Sequence, residues 1–212
     1  MSIPKSRPPL ESPKRAHYFD PVPEVESKRR TLHLRAGDLA LELQADRGVF
    51  GSRAIDLGTR VLLKEAPVPP PEGELLDLGS GYGPIAIALA RRSPAARVWA
   101  VDVNERALEL TRANASTAKT PNVIASQPDA VPGDIRFAAI YSNPPVRVGK
   151  APLHDLLQRW LPRLAPGGAA YLVVQRNLGA DSLATWLEAE GYQVQRIKSK
   201  KGYRVLGVAA PK

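Results

Sequence analysis

Three short stretches of this chain carry residue types at spacings that suit ligand chemistry. The first is Asp77-Leu78-Gly79-Ser80-Gly81-Tyr82-Gly83, where the apolar pair Leu75 and Leu76 feeds a glycine-rich turn. Gly79, Gly81 and Gly83 lack the Cβ atoms that would keep the backbone from touching a ligand. The second is Asp102, which ends the run Val98-Trp99-Ala100-Val101 about twenty residues past the loop, where a carboxylate can bridge two ribose hydroxyls. The third is Asn143-Pro144-Pro145, which follows Phe137-Ala138-Ala139-Ile140-Tyr141-Ser142. A side-chain carbonyl from Asn143 and the backbone carbonyl of Pro144 can each accept an N–H bond from one amine. Such a pair of acceptors holds a delocalised amine and favours its pyramidalisation. Successive prolines stiffen the loop, and orientation is the main contribution open to a direct group transfer.

The glycine spacing discriminates among nucleotides. A dinucleotide fingerprint wants Gly-x-Gly-x-x-Gly with a helix N-terminus aimed at a pyrophosphate. Here the third glycine comes one residue early, and Asp77 stands just before the loop. A carboxylate there repels a pyrophosphate and suits a ligand with a cationic amino group. S-adenosylmethionine carries both an ammonium and a sulfonium and is the expected cofactor; a nicotinamide dehydrogenase is disfavoured.

These residues need a scaffold that brings them to one edge. Pro84 suits a first helical turn, and the segment from Ile85 to Ala90 is apolar nearly all round before Arg91 and Arg92, as in a helix packed on a sheet. Asn104 is an N-cap for a helix through Ala107, Leu108, Leu110 and Thr111. Asn122-Val123-Ile124-Ala125 is a short strand, with Ser126, Gln127 and Asp129 after it. Leu153, Leu156, Leu157, Trp160 and Leu161 recur at helical spacing and read as core. Residues 165–168 turn into a strand at 170–174, and Leu183, Trp186 and Leu187 mark a helix ending at Gly191. Val194, Ile197, Val205, Leu206 and Val208 fill two closing strands around Lys200-Lys201-Gly202; strands joined so tightly are antiparallel. The expected fold class is α/β: a Rossmann-like, doubly wound sheet of seven strands, mostly parallel with one antiparallel C-terminal strand. Ligands in such sheets bind outside the carboxyl ends of the strands, which is where the three stretches fall.

Ahead of this core, taken as residues 72–212, Leu32, Leu34, a turn at Ala36-Gly37-Asp38, and Leu39, Leu41 and Leu43 read as a β-hairpin. Asp56 caps a short helix through Leu62, Leu63 and Lys64, so residues 31–66 are expected to join the same domain, 31–212. Residues 1–30, rich in proline and in Lys and Arg, read as a flexible arm. The net charge of +9 points to a polyanionic partner, and nucleic acid fits better than an acidic protein. A length of 212 residues at 43% hydrophobic content suits one soluble domain. No apolar stretch is near twenty residues long and no signal-peptide core follows Met1, so no membrane span is expected and the cytoplasm is the default. Zero cysteines exclude disulfides and thiolate ligands, and His17, His33 and His154 are too scattered for zinc, so no metal is expected.

From about Gly48 onward the chain resembles the class I S-adenosylmethionine-dependent methyltransferases, in particular the small-domain family of ribosomal RNA guanine-N2 methyltransferases. The matching stretches are Gly-Val-Phe at 48–50, Asp-x-Gly-Thr at 56–59, the glycine loop at 77–83, Asp-Val-Asn at 102–104 and Ser-Asn-Pro-Pro at 142–145. The resemblance implies that Asp77, Gly79 and Gly81 line the methionine end of the cofactor, with Ser80, Tyr82 and Gly83 beside them. It places Asp102 and Val103 at the ribose, Ser126 or Gln127 at the adenine edge, and Asn143, Pro144 and Pro145 at the target amine, with Asn143 also counted among the cofactor-binding residues. The implied enzyme is a cytoplasmic monomer that methylates an exocyclic nitrogen of structured RNA, guanine N2 of ribosomal RNA, free or in a ribosomal particle. Two features depart from the family pattern. Val146 and Arg147 stand where an aromatic residue and often a histidine follow Asn-Pro-Pro, and only the hairpin and arm replace a duplicated amino-terminal domain. RNA docking then rests on Arg147, Lys150, Lys198, Lys200, Lys201 and the arm, or on a partner. The alternatives are a protein glutamine N5-methyltransferase, whose relatives carry Asn-Pro-Pro-Tyr and a helical amino-terminal domain, and a non-catalytic RNA-binding module with a retained cofactor pocket, which Val146 favours.

Overall fold

The computed structural model describes residues 25–210; the proposed arm, apart from residues 25–30, lies outside the described residues. Strands β1 (Arg30–Ala36) and β2 (Leu39–Ala45) form an antiparallel hairpin whose alternation buries Leu34, Ala36, Leu39, Leu41 and Leu43. Gly37, at φ +61°, supplies the left-handed residue that its two-residue turn needs. Helix α1 (Leu57–Glu65) follows, capped by Asp56, whose side chain accepts the Thr59 N–H at 3.2 Å. The core then alternates: β3 (Glu72–Leu78), α2 (Pro84–Arg92), β4 (Ala95–Val101), α3 (Glu105–Thr117), β5 (Val123–Ser126), β6 (Phe137–Ser142), α4 (Lys150–Trp160), β7 (Leu164–Gln175) and α5 (Ala180–Ala189). Strands β8 (Gln193–Lys200) and β9 (Tyr203–Ala209) close it.

Seven strands form one sheet in the order β5-β4-β3-β6-β7-β9-β8. Only β9 is reversed, running antiparallel to both β7 and β8, so the reversed strand lies inside the sheet and β8 takes the edge. The connection permits this because Lys201 and Gly202 both adopt positive φ, +50° and +80°, the backbone of a tight hairpin turn. The strand order changes direction between β3 and β6, the switch point where a crevice opens in such sheets.

The central strands are apolar on both faces because both are covered. In β3, Leu75 enters a core shared with the hairpin, α1, α2 and α3, whereas Leu76 and Leu78 enter the opposite core with α4 and α5. Leu75 and Leu76 are fully buried, and each such side chain contributes on the order of 1.5–3 kcal/mol. Asn114 of α3, 1% exposed, stitches the hairpin to the glycine loop: its Oδ1 accepts the Gln44 N–H at 2.7 Å, and its Nδ2 donates to the carbonyls of Gln44 at 2.8 Å and Tyr82 at 2.9 Å. Residues 165–168, expected as a turn ahead of a strand, instead lie inside β7 as an irregularity in its pairing with β6. Gly168 is required there, since a Cβ would stand 2.8 Å from the Phe137 carbonyl oxygen.

Candidate active site

Parallel register sets Leu78 opposite both Val101 and Ser142, and Val101 opposite Ser126. Gly79, Asp102, Gln127 and Asn143 therefore leave the sheet together at one carboxyl edge. The glycine loop is tied to its neighbour strand by Gly79 N–H and Ser80 N–H, which both donate to the Val101 carbonyl at 2.9 and 3.0 Å. The early third glycine has a local cause. Gly83 is the left-handed cap of α2, at φ +88°, and a Cβ on it would meet Thr111 at 3.0 Å.

Asp102 is 7% exposed, and its two oxygens accept the N–H groups of Gly81 at 2.8 Å and Asn104 at 3.0 Å. Burial pushes its carboxyl above the ordinary range, against the opposing pull of the Asn104, Gly81 and Val103 N–H groups. Each oxygen keeps lone-pair capacity for a ribose hydroxyl. Asp77 is wholly buried beneath the start of α2. Its Oδ2 accepts the Ala86 N–H at 2.8 Å, while its Oδ1 has no partner. Burial pushes this carboxyl up to about 8, with the nearby Asp102 charge acting in the same direction. A buried, unpartnered carboxylate oxygen beside a backbone bared by glycines fits the ammonium end of S-adenosylmethionine, because a cationic donor supplies both the missing bond and the missing charge.

Asn143, half-buried, closes the other side of the pocket. Its Nδ2 donates to Asp56 Oδ1 at 2.7 Å and to Thr59 Oγ1 at 3.2 Å, and no group among the described residues bonds its Oδ1. Asn143, Asp56, Thr59 and Phe50 line one depression with loop residues 79–82. Ser142 Oγ donates to the Leu78 carbonyl at 2.7 Å and locks the end of β6 against the loop. The Pro144 carbonyl, expected as second acceptor for the amine, already accepts the Val146 N–H at 2.8 Å and has one lone pair left. Pro145 likewise accepts from Val148 at 3.1 Å, and Val146 packs against the core of α4 and α5.

The remaining expected residues are spread along the same edge. Ser126 is buried and donates to the Gln127 carbonyl at 3.0 Å; the exposed Gln127 side chain is held by Glu105 at the start of α3. Arg147 and Lys150 are exposed beyond the proline corner, Lys201 is exposed at the β8–β9 turn, and Lys200 pairs with Glu65 at 2.5 Å. Arg176, Lys200, Lys201, Tyr203 and Arg204 line a second, basic depression. It adjoins the first: a Cβ on Gly58 would stand 2.9 Å from both Asp56 Oδ1 and the Tyr203 ring. Phe50, Thr59 and, beyond its cap, Asp56 join the site unanticipated by residue type; the Gly-Val-Phe stretch at 48–50 and the Asp-x-Gly-Thr stretch at 56–59 carry the signal for them. Among the described residues, no group of three His, Cys, Asp or Glu could hold a metal ion, and no helix is long and apolar enough to cross a membrane.

This sheet, with the glycine loop at its switch point, makes the protein a Rossmann-like methyltransferase, an enzyme whose cofactor is S-adenosylmethionine. Residues 40–207 match the family model of the methyltransferase small domain, and the chain belongs to that family. It is 35% identical over 193 residues to the uncharacterised protein YbxB of Bacillus subtilis, covering 90% of this chain and 96% of that one. It is 34% identical over 188 residues to ribosomal RNA small subunit methyltransferase C of Pseudomonas aeruginosa, covering 81% of this chain and 55% of the relative. Among solved structures, a T. thermophilus 16S rRNA N2 methyltransferase in complex with AdoMet and guanosine matches with a TM-score of 0.71 at 25% identity, over 88% of this chain and 52% of that one. The chain thus spans about half the length of these two ribosomal RNA enzymes.

Proposed function

We propose that this enzyme methylates an exocyclic amine of ribosomal RNA, with guanine N2 as the acceptor. The observation that carries the reading is the fixed Asn143 amide. Its nitrogen is committed to Asp56 and Thr59, so its carbonyl remains to accept an N–H from an amine beside the glycine loop. When bound, S-adenosylmethionine supplies an electrophilic methyl on a sulfonium. Asp77 and the backbone of residues 79–83 would hold its methionine end, Asp102 and Val103 its ribose, and Ser126 and Gln127 its adenine edge. Asn143 Oδ1 and the free lone pair of Pro144 O orient the acceptor amine, while Pro145 stiffens the corner. No strong base is required, because the amine loses its proton to water only after methylation has made it acidic.

The names of the ribosomal RNA relatives support the acceptor class, as do the exposed Arg147 and Lys150 just past Asn143 and the basic depression that holds Lys200 and Lys201. We place the protein in the cytoplasm as a monomer that acts on ribosomal RNA or a ribosomal particle. Transfer of a tritiated methyl into unmodified small ribosomal subunits, with RNA and protein counted separately and the RNA digested to nucleosides, tests this. Label in N2-methylguanosine is the expected result, and Asn143→Ala should lower kcat by about a hundredfold or more with cofactor affinity unchanged. Label in protein alone overturns the RNA reading in favour of a glutamine amide acceptor. Cofactor binding with no label in either fraction favours a non-catalytic module.

A further inference from the structure

Phe50 is 59% exposed and is the one aromatic among the large apolar side chains left in solvent by the described residues. It stands at the mouth of the depression it shares with Asn143, Asp56 and the glycine loop. The backbone around it is anchored. Val49 N–H donates to the Asp46 carbonyl at 3.2 Å, Asn104 Nδ2 donates to the Gly48 carbonyl at 2.9 Å, and Val49 itself is 6% exposed. The loop meets this segment at Gly81 and through the Tyr82 ring: a Cβ on Gly81 would face the Phe50 carbonyl oxygen at 3.9 Å, and one on Gly51 would face the Tyr82 ring at 3.5 Å. The segment is thus packed down on both sides of Phe50 while the Phe50 ring is left open. An apolar ring held in water on a fixed backbone is a preformed surface for another flat, apolar face.

The opposite corner offers no such face. Val146 is aliphatic and packs against the core of α4 and α5, and Pro144 and Pro145 carry no aromatic ring. A nucleobase whose exocyclic amine bonds to Asn143 Oδ1 would cross the mouth of this depression, where Phe50 stands, and its plane needs a partner once it has left its own stack. The geometry points to Phe50 as the stacking platform of a nucleobase subsite, with Asn143 selecting the amine and Phe50 supplying base-independent affinity. This inference rests on the RNA acceptor proposed above.

The test uses the full chain and unmodified small-subunit ribosomal RNA with Phe50→Ala, Phe50→Leu and Phe50→Tyr. Readouts are RNA affinity by filter binding, the kcat and KM for RNA, and cofactor affinity by calorimetry. Loss of one stacked base should weaken RNA binding and kcat/KM by about 5- to 150-fold in both the Ala and Leu variants. Tyr, which keeps the ring, should stay within about twofold, and cofactor affinity should not move in any of them. Because Phe50 is exposed, thermal midpoints should be unchanged, which separates the effect from misfolding. Wild-type behaviour of Phe50→Leu would overturn the proposal, since Leu keeps the apolar bulk and loses the flat face. Weakened cofactor binding with an unchanged KM for RNA would overturn it by making Phe50 a cover for the cofactor. An unmutated enzyme that labels no RNA would overturn the RNA acceptor and the subsite together, so the two failures are told apart.

Discussion

Asn143 Nδ2 and Asp56 Oδ1 stand 2.7 Å apart, joining the end of β6 to the start of α1 across 87 residues of sequence, and this contact decides which end of the Asn143 amide meets the pocket. A carboxylate only accepts, so the nitrogen must face it and the carbonyl must face away. The same Asp56 oxygen accepts the Thr59 N–H and caps α1. Asp56→Ser keeps a capping oxygen and releases the amide, whereas Asp56→Ala loses both. Both variants should lower kcat by roughly 10- to 100-fold at unchanged cofactor affinity, through misorientation of the acceptor. Only the Ala variant should lose about 1 kcal/mol in denaturant titrations. A Ser variant with full kcat would show that Asn143 is oriented by something else.

Asp77 makes stability depend on pH. Its carboxyl sits at about 8 in the folded protein and near 4 in an unfolded chain, because burial disfavours the charge. Between those values the folded state retains a proton that the unfolded chain releases, so stability falls as pH rises through this window and levels off above it. Asp102, raised in the same direction by burial, adds to the slope. Asp77→Asn should therefore flatten part of the decline in thermal midpoint between pH 5 and pH 8, roughly the window set by the two values. A cofactor ammonium next to Asp77 favours its ionised form, so cofactor binding near pH 7 should release a proton, seen as a dependence of the calorimetric enthalpy on the buffer's ionisation enthalpy. No buffer dependence in the unmutated protein would mean that Asp77 does not meet the ammonium.

Asp102 serves the loop before it serves any ligand. Asp102→Ala strips the acceptor from Gly81 N–H and Asn104 N–H, and each bond lost costs about 1–3 kcal/mol where water cannot replace it. Cofactor affinity should fall by about 10- to 100-fold, while kcat at saturating cofactor changes little. Calorimetric titration decides: an unaltered Kd would remove Asp102 from the cofactor site.

What the sequence made legible is what local chemistry dictates. Positive φ at Gly79, Gly81 and Gly83 forces glycine, and the Asp56 and Asn104 caps sit directly ahead of their helices, so both could be read from residue types alone. Gly167 and Gly168 show the limit, because a glycine pair suits a turn and a strand irregularity equally well and only the pairing with β6 decides between them. The insertion of β9 between β7 and β8 is a choice of neighbours that no local pattern encodes. Asn114 carried no signal at all. It reads as an indifferent mid-helix residue, yet its amide reaches 70 residues back to Gln44 and 32 back to Tyr82. The second role of Asp56 was hidden for the same reason: its cap is local, and its hold on Asn143 is not.

The basic edge should show itself in salt dependence. The Gly202 carbonyl accepts the Arg176 N–H at 2.8 Å, which holds the β8–β9 turn against the end of β7 and fixes where Lys201 projects. Among the described residues Lys201, Arg147 and Lys150 have no ion-pair partner, whereas Lys200 is engaged by Glu65. Unpaired cations gain most from a phosphate, because nothing has to be broken first and counterions are released. Lys201→Ala and Arg147→Ala should each weaken RNA binding regardless of sequence and reduce the slope of log affinity against log salt by about 1, leaving cofactor affinity alone. Filter binding across a salt series measures this directly. An unchanged slope in both variants would move the RNA path off this edge, whereas loss in Arg147→Ala alone would confine it to the proline corner. Tyr203 lines one depression with Lys201 and, through Gly58, adjoins Asp56, so the losses from Lys201→Ala and Asn143→Ala should be non-additive in the double variant.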